Sequence, residues 1–505
     1  MSLTTIFLAT LVAIVFYFVY SLRKRFSYWQ QRGIACEEPD SFYGSMKGLN
    51  QTRSFRDITH EYYEKFKGSG PFAGFYWGYR PAVFVLDPSL MKNILIKDFN
   101  KFSDRGFYHN EKDDPLTGQL FLIDGAKWKV MRNKLSPTFT SGKMKFMFPI
   151  IRDICEQFIE VLGGMAQENS EVEVKDILAR FTTDVIGSCA FGIDCCSLKN
   201  PNAEFRLMGK KGMNEQRHSL LVMAFMQSFP EVAAKLGLKL FTQDVIDFFM
   251  RIVRETVEYR EQNNVRRNDF MDMLIDLKNK KLIRAEHGED LKNLTLEEIT
   301  GQAFVFFNAG FDTSSTTMCF ALYELARHQE IQEKARQEVR KVFEKHNNEL
   351  QYESMREMSY LEQVISETLR LYTVAPLLNR KALEDYEVPG NPKYVIKKGM
   401  PILIPISAIH HDPEYFPNPE EFNPENFSSQ AIAERDSILY IPFGEGPRNC
   451  IGMRFGKMQA TIGLAYLLKY FRFEICERTQ IPLQFDKKNM LVTPERGVVL
   501  KVTKI

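Results

Sequence analysis

From about residue 40 onward, apolar residues recur mostly at the spacing of amphipathic helices, interrupted by short stretches typical of strands. Two aromatic and β-branched runs within residues 71–87 flank the tight segment 78–81 and predict a β-hairpin. Prolines are dense between residues 376 and 424, which predicts short strands and turns there. The charged, aperiodic segment 278–294 predicts an exposed loop. The pattern therefore predicts a mainly helical chain with a small β region.

Two capping-box patterns predict where important helices begin. Thr295 and Glu298 predict the start of a long apolar helix that runs to about Arg327. Ser359 and Glu362 predict the start of a second helix with a buried apolar stripe.

Residues 4–22 form a run of 19 residues without a charge, followed at once by three basic residues. As a helix this run would span about 28 Å, close to the hydrocarbon thickness of a bilayer. Basic flanks stay in the cytosol, so we expect the N-terminus to face the lumen and the remainder the cytosol. A cleaved signal peptide would have the opposite charge polarity, and a buried core helix is a weaker alternative.

Composition adds few constraints. With 505 residues, length alone favours several domains, although no Gly/Ser-rich linker divides the chain. The 41 phenylalanines indicate an aromatic interior or cavity. The net charge of +2 gives no reason to expect a nucleic-acid partner. Eight scattered cysteines form no CxxC pair, which disfavours zinc sites and a disulfide framework and suits a reducing compartment.

Among these cysteines, Cys450 has an unusual neighbourhood, PFGEGPRNCIG at residues 442–452. Glycines and a proline shape a tight loop, and an apolar helical run follows. A cysteine at a helix N-terminus is favoured as the thiolate, the form that binds metals, and Arg448 adds positive charge. A structural cysteine in a turn is the simpler alternative.

Three further patterns accompany the loop. Trp128 and Arg132 lie four residues apart, on one face of a predicted helix. Residues 309–314, AGFDTS, place a glycine, an acid and hydroxyls in the middle of the long apolar helix, although such hydroxyls often only bond to backbone carbonyls. Glu367 and Arg370 form an i, i+3 pair on an otherwise apolar stripe.

Together these patterns resemble the cytochrome P450 family. Its haem loop, F-x-x-G-x-R-x-C-x-G, matches Phe443, Gly446, Arg448, Cys450 and Gly452, while W-x-x-x-R, A-G-x-D-T-[TS] and E-x-x-R match the other patterns. FSDRG at residues 102–106 and PTFTSGKMKFMFP at 137–149 resemble the insect microsomal branch involved in detoxification. The resemblance implies a mainly α fold with a small β region: a single haem domain at 41–505, behind a membrane anchor at 1–22 and a linker at 23–40.

The resemblance also implies residue roles. Cys450 would be the axial thiolate ligand of the iron of haem b, which favours O–O cleavage. The haem would further contact a set of residues that includes partners for its propionates: Arg105, Trp128, Arg132, Gly310, Arg380, Phe443 and Arg448. Thr313 would lie nearest to oxygen, and the Asp312 carboxylate would relay protons.

Glu367 and Arg370 resemble the buried pair that locks the proximal core in this family. The family often adds an arginine in P-E-R-F, and this chain has Asn426 at that position. Asn426 can donate a hydrogen bond but brings no charge.

The implied activity is insertion of one oxygen atom of O2 into lipophilic substrates. These would be xenobiotics, such as insecticides or plant toxins, or endogenous hormones and lipids, bound in a cavity lined in part by Phe304, Phe307 and Ala309. The chain has no flavin or dinucleotide motif, so electrons would come from NADPH through NADPH-cytochrome P450 reductase, with cytochrome b5 as a second partner. Five lysines at 127, 129, 134, 143 and 145 would dock an acidic partner. The expected location is the endoplasmic reticulum membrane.

Two alternative functions remain at this point. A haem-thiolate isomerase or dehydratase of oxidised lipids needs no proton relay, and the Asp312–Thr313 pair argues against it. A non-enzymatic haem-thiolate sensor or carrier needs no oxygen-binding groove.

Overall fold

The computed structural model of this chain describes residues 24–215, 217–267, 269–279 and 293–505, with seven positions between 5 and 21. Most of the predicted anchor at 4–22 and most of the loop predicted at 278–294 lie outside these residues. Within the described ranges, no helix combines the length and the apolar character needed to cross a bilayer.

The described part of the chain is mainly helical, as the pattern predicts. Its α-helices, numbered in chain order, are α1 (Phe55–Phe66), α2 (Pro88–Lys92), α3 (Gly125–Leu135), α4 (Ser141–Glu168), α5 (Val174–Ile186), α6 (Glu204–Asn214), α7 (Leu220–Ser228), α8 (Pro230–Lys235), α9 (Gln243–Asn263), α10 (Phe270–Lys278), α11 (Leu296–Arg327), α12 (Gln329–Lys345), α13 (Ser359–Leu371), α14 (Ile406–His410), α15 (Ser429–Glu434) and α16 (Met453–Tyr470).

In the described part of the chain, the strands form three small sheets. They are β1 (Phe72–Trp77), β2 (Arg80–Val85), β3 (Glu171–Glu173), β4 (Leu378–Lys381), β5 (Tyr386–Glu387), β6 (Val395–Ile396), β7 (Pro401–Ile404), β8 (Phe471–Glu474) and β9 (Val499–Lys504). The largest sheet has the order β1-β2-β7-β4, with β2 and β7 parallel. Phe72 pairs with Val85 across the β1–β2 hairpin, which confirms the hairpin prediction. The other sheets are β3-β9-β8 and the β5–β6 pair.

One of the two predicted capping boxes is confirmed. The Thr295 side chain accepts from the Glu298 N–H, and Glu298 accepts from the Thr295 N–H, at the start of α11. The box at Ser359 is wrong, because Glu338 of α12 takes its place. The Glu338 carboxylate accepts from the N–H groups of Tyr360 at 2.8 Å and Leu361 at 2.9 Å, and so satisfies two of the free donors of the α13 N-terminus.

The long helix α11 runs through the main hydrophobic core and packs closely on α5. Gly310 faces Ile186 of α5, and a Cβ at this glycine would overlap the Ile186 side chain. The Thr182 hydroxyl of α5 donates to the Phe311 carbonyl at 2.8 Å. This close approach supplies a structural reason for a glycine in the middle of a helix, where it costs about 1 kcal/mol relative to alanine.

Part of the segment predicted as a linker, residues 23–40, packs against the sheet. Trp29 is fully buried, and its indole N–H donates to the Phe75 carbonyl at 3.1 Å. The Gly74 N–H donates to the Ala35 carbonyl at 2.8 Å. The eight cysteines are all free, as their spacing predicts.

Candidate functional site

The loop before α16 holds Cys450 in a compact turn. The Cys450 N–H donates to the Phe443 carbonyl at 2.8 Å, and the Gly444 N–H donates to the Ile441 carbonyl at 2.8 Å. Gly446 has a φ of +74°, and a Cβ there would overlap the carbonyl oxygen of Leu95. Glycine is therefore required at this position for two independent reasons.

The Cys450 side chain is accessible but lies beneath the outer surface, enclosed by protein. Burial raises the pKa of its thiol, while the Gly452 N–H, Arg132 and Arg105 oppose this rise. The cations that favour the thiolate are thus Arg132 and Arg105, rather than Arg448 as we expected from its proximity in sequence. Helix α16 begins three residues beyond Cys450, as predicted.

Arg448 is turned away from Cys450 towards α3 and the turn before it. Its Nη2 donates to the Ile123 carbonyl at 2.6 Å and to Asp124 at 3.2 Å. The guanidinium carbon lies 4.3 Å from the centroid of the Trp128 ring, a cation–π distance. Trp128 and Arg448 therefore form one unit, a contact that the spacing of Trp128 and Arg132 does not report.

Arg105 and Arg132 also converge on the cysteine loop. Arg132 donates to the Asn449 carbonyl at 2.8 Å and to the Asn449 side-chain oxygen at 2.7 Å, which holds the residue directly before Cys450. Arg105 donates to the Phe121 carbonyl at 3.0 Å and lies near the Arg448 carbonyl at 3.4 Å. Arg132 thus positions the loop, and its contact with a propionate stays a prediction.

Arg380, on β4, completes a group of three guanidinium groups, of which those of Arg380 and Arg448 are buried and that of Arg105 is half-buried. Burial, together with the charge of Arg448, lowers the pKa of Arg380 to about 9. Burial also lowers the pKa of Arg448 to about 10, against the pull of Asp124. The pKa of Arg105 falls well below its ordinary value, because burial acts together with the charges of Arg380 and Arg448. The group is therefore short of negative charge.

Unsatisfied donors in this group test whether haem fits. Among the described residues, Nε and Nη2 of Arg380 and Nε and Nη1 of Arg448 are buried without a hydrogen-bond partner. Buried donors of this kind are costly and call for an explanation. Two carboxylates would supply both the acceptors and the charge that these guanidiniums lack. The residues present therefore fit the propionates of a haem.

On α11, the residues assigned to the oxygen side line a partly open face. Ala309 is exposed, whereas Asn308 and Phe311 are buried. The Thr313 hydroxyl donates to the Ala309 carbonyl at 2.7 Å. This is the ordinary backbone contact of a helical threonine, and the hydroxyl keeps its lone pairs for a further donor. The role of Thr313 at oxygen stays a prediction.

Asp312 faces α5 and is paired with a cation. Lys175 donates to the Asp312 carboxylate at 2.8 Å and to the Ser315 hydroxyl at 2.7 Å. Both charged side chains are largely buried, with exposures of 16% for Lys175 and 14% for Asp312. Any proton relay through Asp312 therefore operates next to a fixed positive charge. For Gly310, contact with a cofactor stays a prediction beside its observed packing on Ile186.

Glu367 and Arg370 form a fully buried pair, as predicted. Arg370 donates through Nε and Nη2 to the two carboxylate oxygens, each at 2.8 Å, and both side chains have no exposed surface. Asn426 donates to Glu367 at 3.1 Å, which is the neutral contact expected of it. Arg435 donates to the Asn426 carbonyl at 3.1 Å and lies close enough to interact with the Glu367 charge. Arg435, nine residues after Asn426, thus supplies near Glu367 the positive charge that Asn426 lacks.

The prediction that Phe304 and Phe307 line a substrate cavity is wrong. Both are buried in the core, where Phe307 packs on Phe205 with ring centroids 4.6 Å apart and Phe304 packs on Phe249 at 4.9 Å. Their rings therefore pack against α6 and α9 and do not face a cavity. Ala309, by contrast, is accessible as predicted.

Three residues of the site were missed by reasoning from the sequence: Asp124, Asn449 and Lys175. Asp124 accepts from the N–H groups of Arg105 and Gly106, each at 2.9 Å, and from Arg448. An aspartate just before Gly125 and α3 is typical of a helix cap, so the sequence alone does not indicate that Asp124 binds these distant residues. Asn449 and Lys175 make contacts with residues more than 130 positions away, which no local pattern reports.

Comparison with known proteins agrees with this geometry. The sequence profile of the family described as "Cytochrome P450" matches residues 35–502. "Probable cytochrome P450 6a21" of Drosophila melanogaster is 59% identical over 505 residues, all of both chains. "Cytochrome P450 6A1" of Musca domestica is 49% identical over 501 residues, which cover 99% of this chain and 97% of that one. The chain therefore belongs to the cytochrome P450 family of haem-thiolate monooxygenases, with haem b as cofactor and cysteine as its axial ligand.

Proposed function

We propose that this protein is a membrane-anchored monooxygenase that inserts one oxygen atom of O2 into lipophilic small molecules, with electrons from NADPH delivered by a separate reductase. The observation that carries this proposal is the set of four buried, unpartnered guanidinium nitrogens of Arg380 and Arg448 in the described part of the chain, together with an accessible Cys450 in the loop that carries Arg448. The haem, when bound, supplies the iron at which dioxygen is reductively split.

The protein's own contribution on the proximal side is to present a thiolate and to hold two propionates. Cys450 would be the axial ligand, kept in place by its N–H bond to the Phe443 carbonyl and by Arg132 acting through Asn449. Arg380 and Arg448 would pair with the propionates, while Trp128 supports the Arg448 guanidinium. Arg105 would complete this anion site.

On the opposite side, Thr313 and Asp312 would deliver protons. The Thr313 hydroxyl donates to the Ala309 carbonyl, and its oxygen can accept a hydrogen bond from water. Rotated away from that carbonyl, the hydroxyl would donate its own hydrogen inward and take one from the water in return. The Asp312 carboxylate, held by Lys175, would exchange protons with water at the end of that path. Gly310 allows α11 to lie close to α5 and would leave room beside Ala309.

For location, we propose an anchor at residues 1–22, a connecting segment at 23–40 and a haem domain at 41–505, in the endoplasmic reticulum membrane with a luminal N-terminus. The uncharged run at 4–22 and the basic residues after it support this topology.

For partners, we propose NADPH-cytochrome P450 reductase, with cytochrome b5 as a second donor. Lys129 is exposed on α3 and is available to an acidic partner. Lys127 and Lys145 are already paired with Glu298 (3.1 Å) and Glu353, and Lys134 is buried. The docking surface is therefore less basic than the sequence indicates.

For substrates, we propose lipophilic xenobiotics, such as insecticides or plant toxins, or endogenous hormones and lipids. Support comes from exposed aromatic surface beside Arg105: Phe107 and Phe121 are stacked with centroids 5.6 Å apart, and 45% of Phe121 is exposed. The accessible Ala309 on α11 adds apolar surface.

The test combines purified holoprotein, reductase and NADPH with a panel of lipophilic compounds chosen because they shift the iron spin state. Oxygen consumption that depends on the reductase and yields a hydroxylated or epoxidised product would support the proposal. Rearrangement of an oxidised lipid without oxygen consumption would identify an isomerase or dehydratase instead. Tight binding without turnover would indicate a carrier.

A further inference from the structure

His410 lies at the end of α14, between α13 and the cysteine loop, and has no exposed surface. It belongs to none of the motifs that assign haem or oxygen roles. Its ring packs on Tyr440 with centroids 5.3 Å apart. A fully buried polar ring in this position is expected to have a hydrogen bond at each nitrogen.

The two ring nitrogens have distinct partners that assign their roles. The Ile441 N–H, which can only donate, lies 3.1 Å from Nε2, so Nε2 is the acceptor. Nδ1 then carries the hydrogen and donates to the Thr373 hydroxyl at 2.7 Å. The Thr373 hydroxyl in turn donates to the carbonyl of Leu369 at 3.0 Å or Arg370 at 3.1 Å.

The neutral form of the ring suits this arrangement. Burial, with the charges of His411, Arg370 and Arg435, lowers the pKa of His410 well below its ordinary value. An imidazolium would direct a second N–H at the Ile441 N–H, and two donors cannot share that contact.

Through these contacts, His410 joins the buried ion pair to the cysteine loop. Its carbonyl accepts from Arg370 Nη1 at 3.0 Å, and its ring holds the N–H of Ile441. The Ile441 carbonyl accepts from the Gly444 N–H at 2.8 Å and so closes the turn between them. Within this turn, the Phe443 carbonyl accepts from the Cys450 N–H. The start of the loop is thus tied to α13 by one imidazole.

We propose that His410 is a positioning residue for the axial cysteine: its Nε2 fixes the Ile441 N–H, and with it the register of the loop that presents the Cys450 sulfur. This inference rests on the proposed function, because it requires Cys450 to be the axial ligand. The residue itself touches neither haem nor substrate.

The test compares haem-loaded variants. His410→Leu removes both ring contacts. Thr373→Val removes the Nδ1 contact, with the hydroxyl's own bond to a carbonyl of α13, and leaves the Nε2 contact in place. His410→Gln places an amide oxygen at about the reach of Nε2 and can again accept from Ile441. His411→Leu is the matched control: His411 is the next residue and is also buried, but its ring nitrogens contact the Ser407 carbonyl at 2.8 Å and Arg56 at 3.2 Å.

Two readouts separate positioning from a general structural role. The first is the rate at which the reduced, carbon-monoxide-bound protein loses its thiolate-type absorption band on mild warming. The second is global stability from urea unfolding followed by circular dichroism.

We expect His410→Leu to accelerate loss of the thiolate band about 10-fold relative to His411→Leu at matched global stability, because it leaves a buried N–H without an acceptor. Thr373→Val should change the rate in the same direction, and it carries the test if His410→Leu does not fold. His410→Gln should return the rate to within about 3-fold of the original protein.

Equal loss in His410→Leu and His411→Leu at matched stability would overturn the inference, and so would a glutamine variant no better than leucine. If the unsubstituted protein shows no thiolate band at all, the proposed function fails first. These two failures are therefore distinguishable.

Discussion

Replacing Glu367 by alanine should prevent the protein from retaining haem. The carboxylate accepts four hydrogen bonds: two from Arg370 at 2.8 Å, one from the Asn423 N–H at 2.9 Å and one from Asn426 at 3.1 Å. All four donors lose their partner at once in Glu367→Ala. Arg370 then remains as a fully buried cation whose other donors face carbonyl oxygens alone.

The size of the effect follows from this geometry. Removing one partner of a buried ion pair costs about 3–5 kcal/mol. The total stability of a folded protein is about 5–15 kcal/mol, so this single change removes a large share of it. Because Arg370 also binds the His410 carbonyl, the loss is transmitted towards the cysteine loop.

The assay is urea unfolding followed by circular dichroism, combined with the haem content of the purified protein. Glu362→Ala on the same helix is the matched control: its partner Lys457 lies 3.2 Å away, and the two side chains are 64% and 40% exposed. That exposed pair should contribute about 0–1 kcal/mol. Normal haem content and a loss below about 1 kcal/mol in Glu367→Ala would refute the reasoning, since the pair would then behave like a surface contact.

Three further substitutions test other parts of the site. Thr313→Ala should leave haem binding intact but divert electrons to peroxide, so that product formed per NADPH falls about 10-fold or more. Thr313→Ser keeps the hydroxyl and should keep the original yield of product per NADPH. An unchanged yield in Thr313→Ala would exclude proton delivery by this hydroxyl. Arg380→Leu should weaken haem binding about 10- to 100-fold in a haem titration without destabilising the apoprotein, since it removes donors that have no partner in the described structure; unchanged affinity would show that the propionates bind elsewhere. Lys175→Met should lower the free energy of unfolding by about 1.5–3 kcal/mol, because Asp312 loses a largely buried partner; no change in the urea midpoint would contradict this.

Local patterns predicted much of the fold. The bounds of α11, its capping box and the β1–β2 hairpin follow from signals within a few residues of each other. The wrong cap at Ser359 shows the limit of such signals, because the carboxylate that caps α13 comes from Glu338 on another helix.

The candidate site was predicted less completely, for the same physical reason. The motif matches identified the three arginines, but not the carboxylate of Asp124 that binds two of them or the lysine that holds Asp312. Asn426 stands where the family often has an arginine, so that charge is missing from the motif, yet Arg435 supplies a positive charge close by in space. Such compensation depends on packing between distant segments, which spacing along the chain does not reveal.

The absorption spectrum of the reduced, carbon-monoxide-bound protein tests the central claim most directly, measured for the unsubstituted chain and for Cys450→Ser. We expect the band of a thiolate-ligated haem in the first and its absence in the second. A band of the imidazole-ligated type in the unsubstituted protein, or a thiolate band that survives the serine substitution, would contradict the assignment of Cys450.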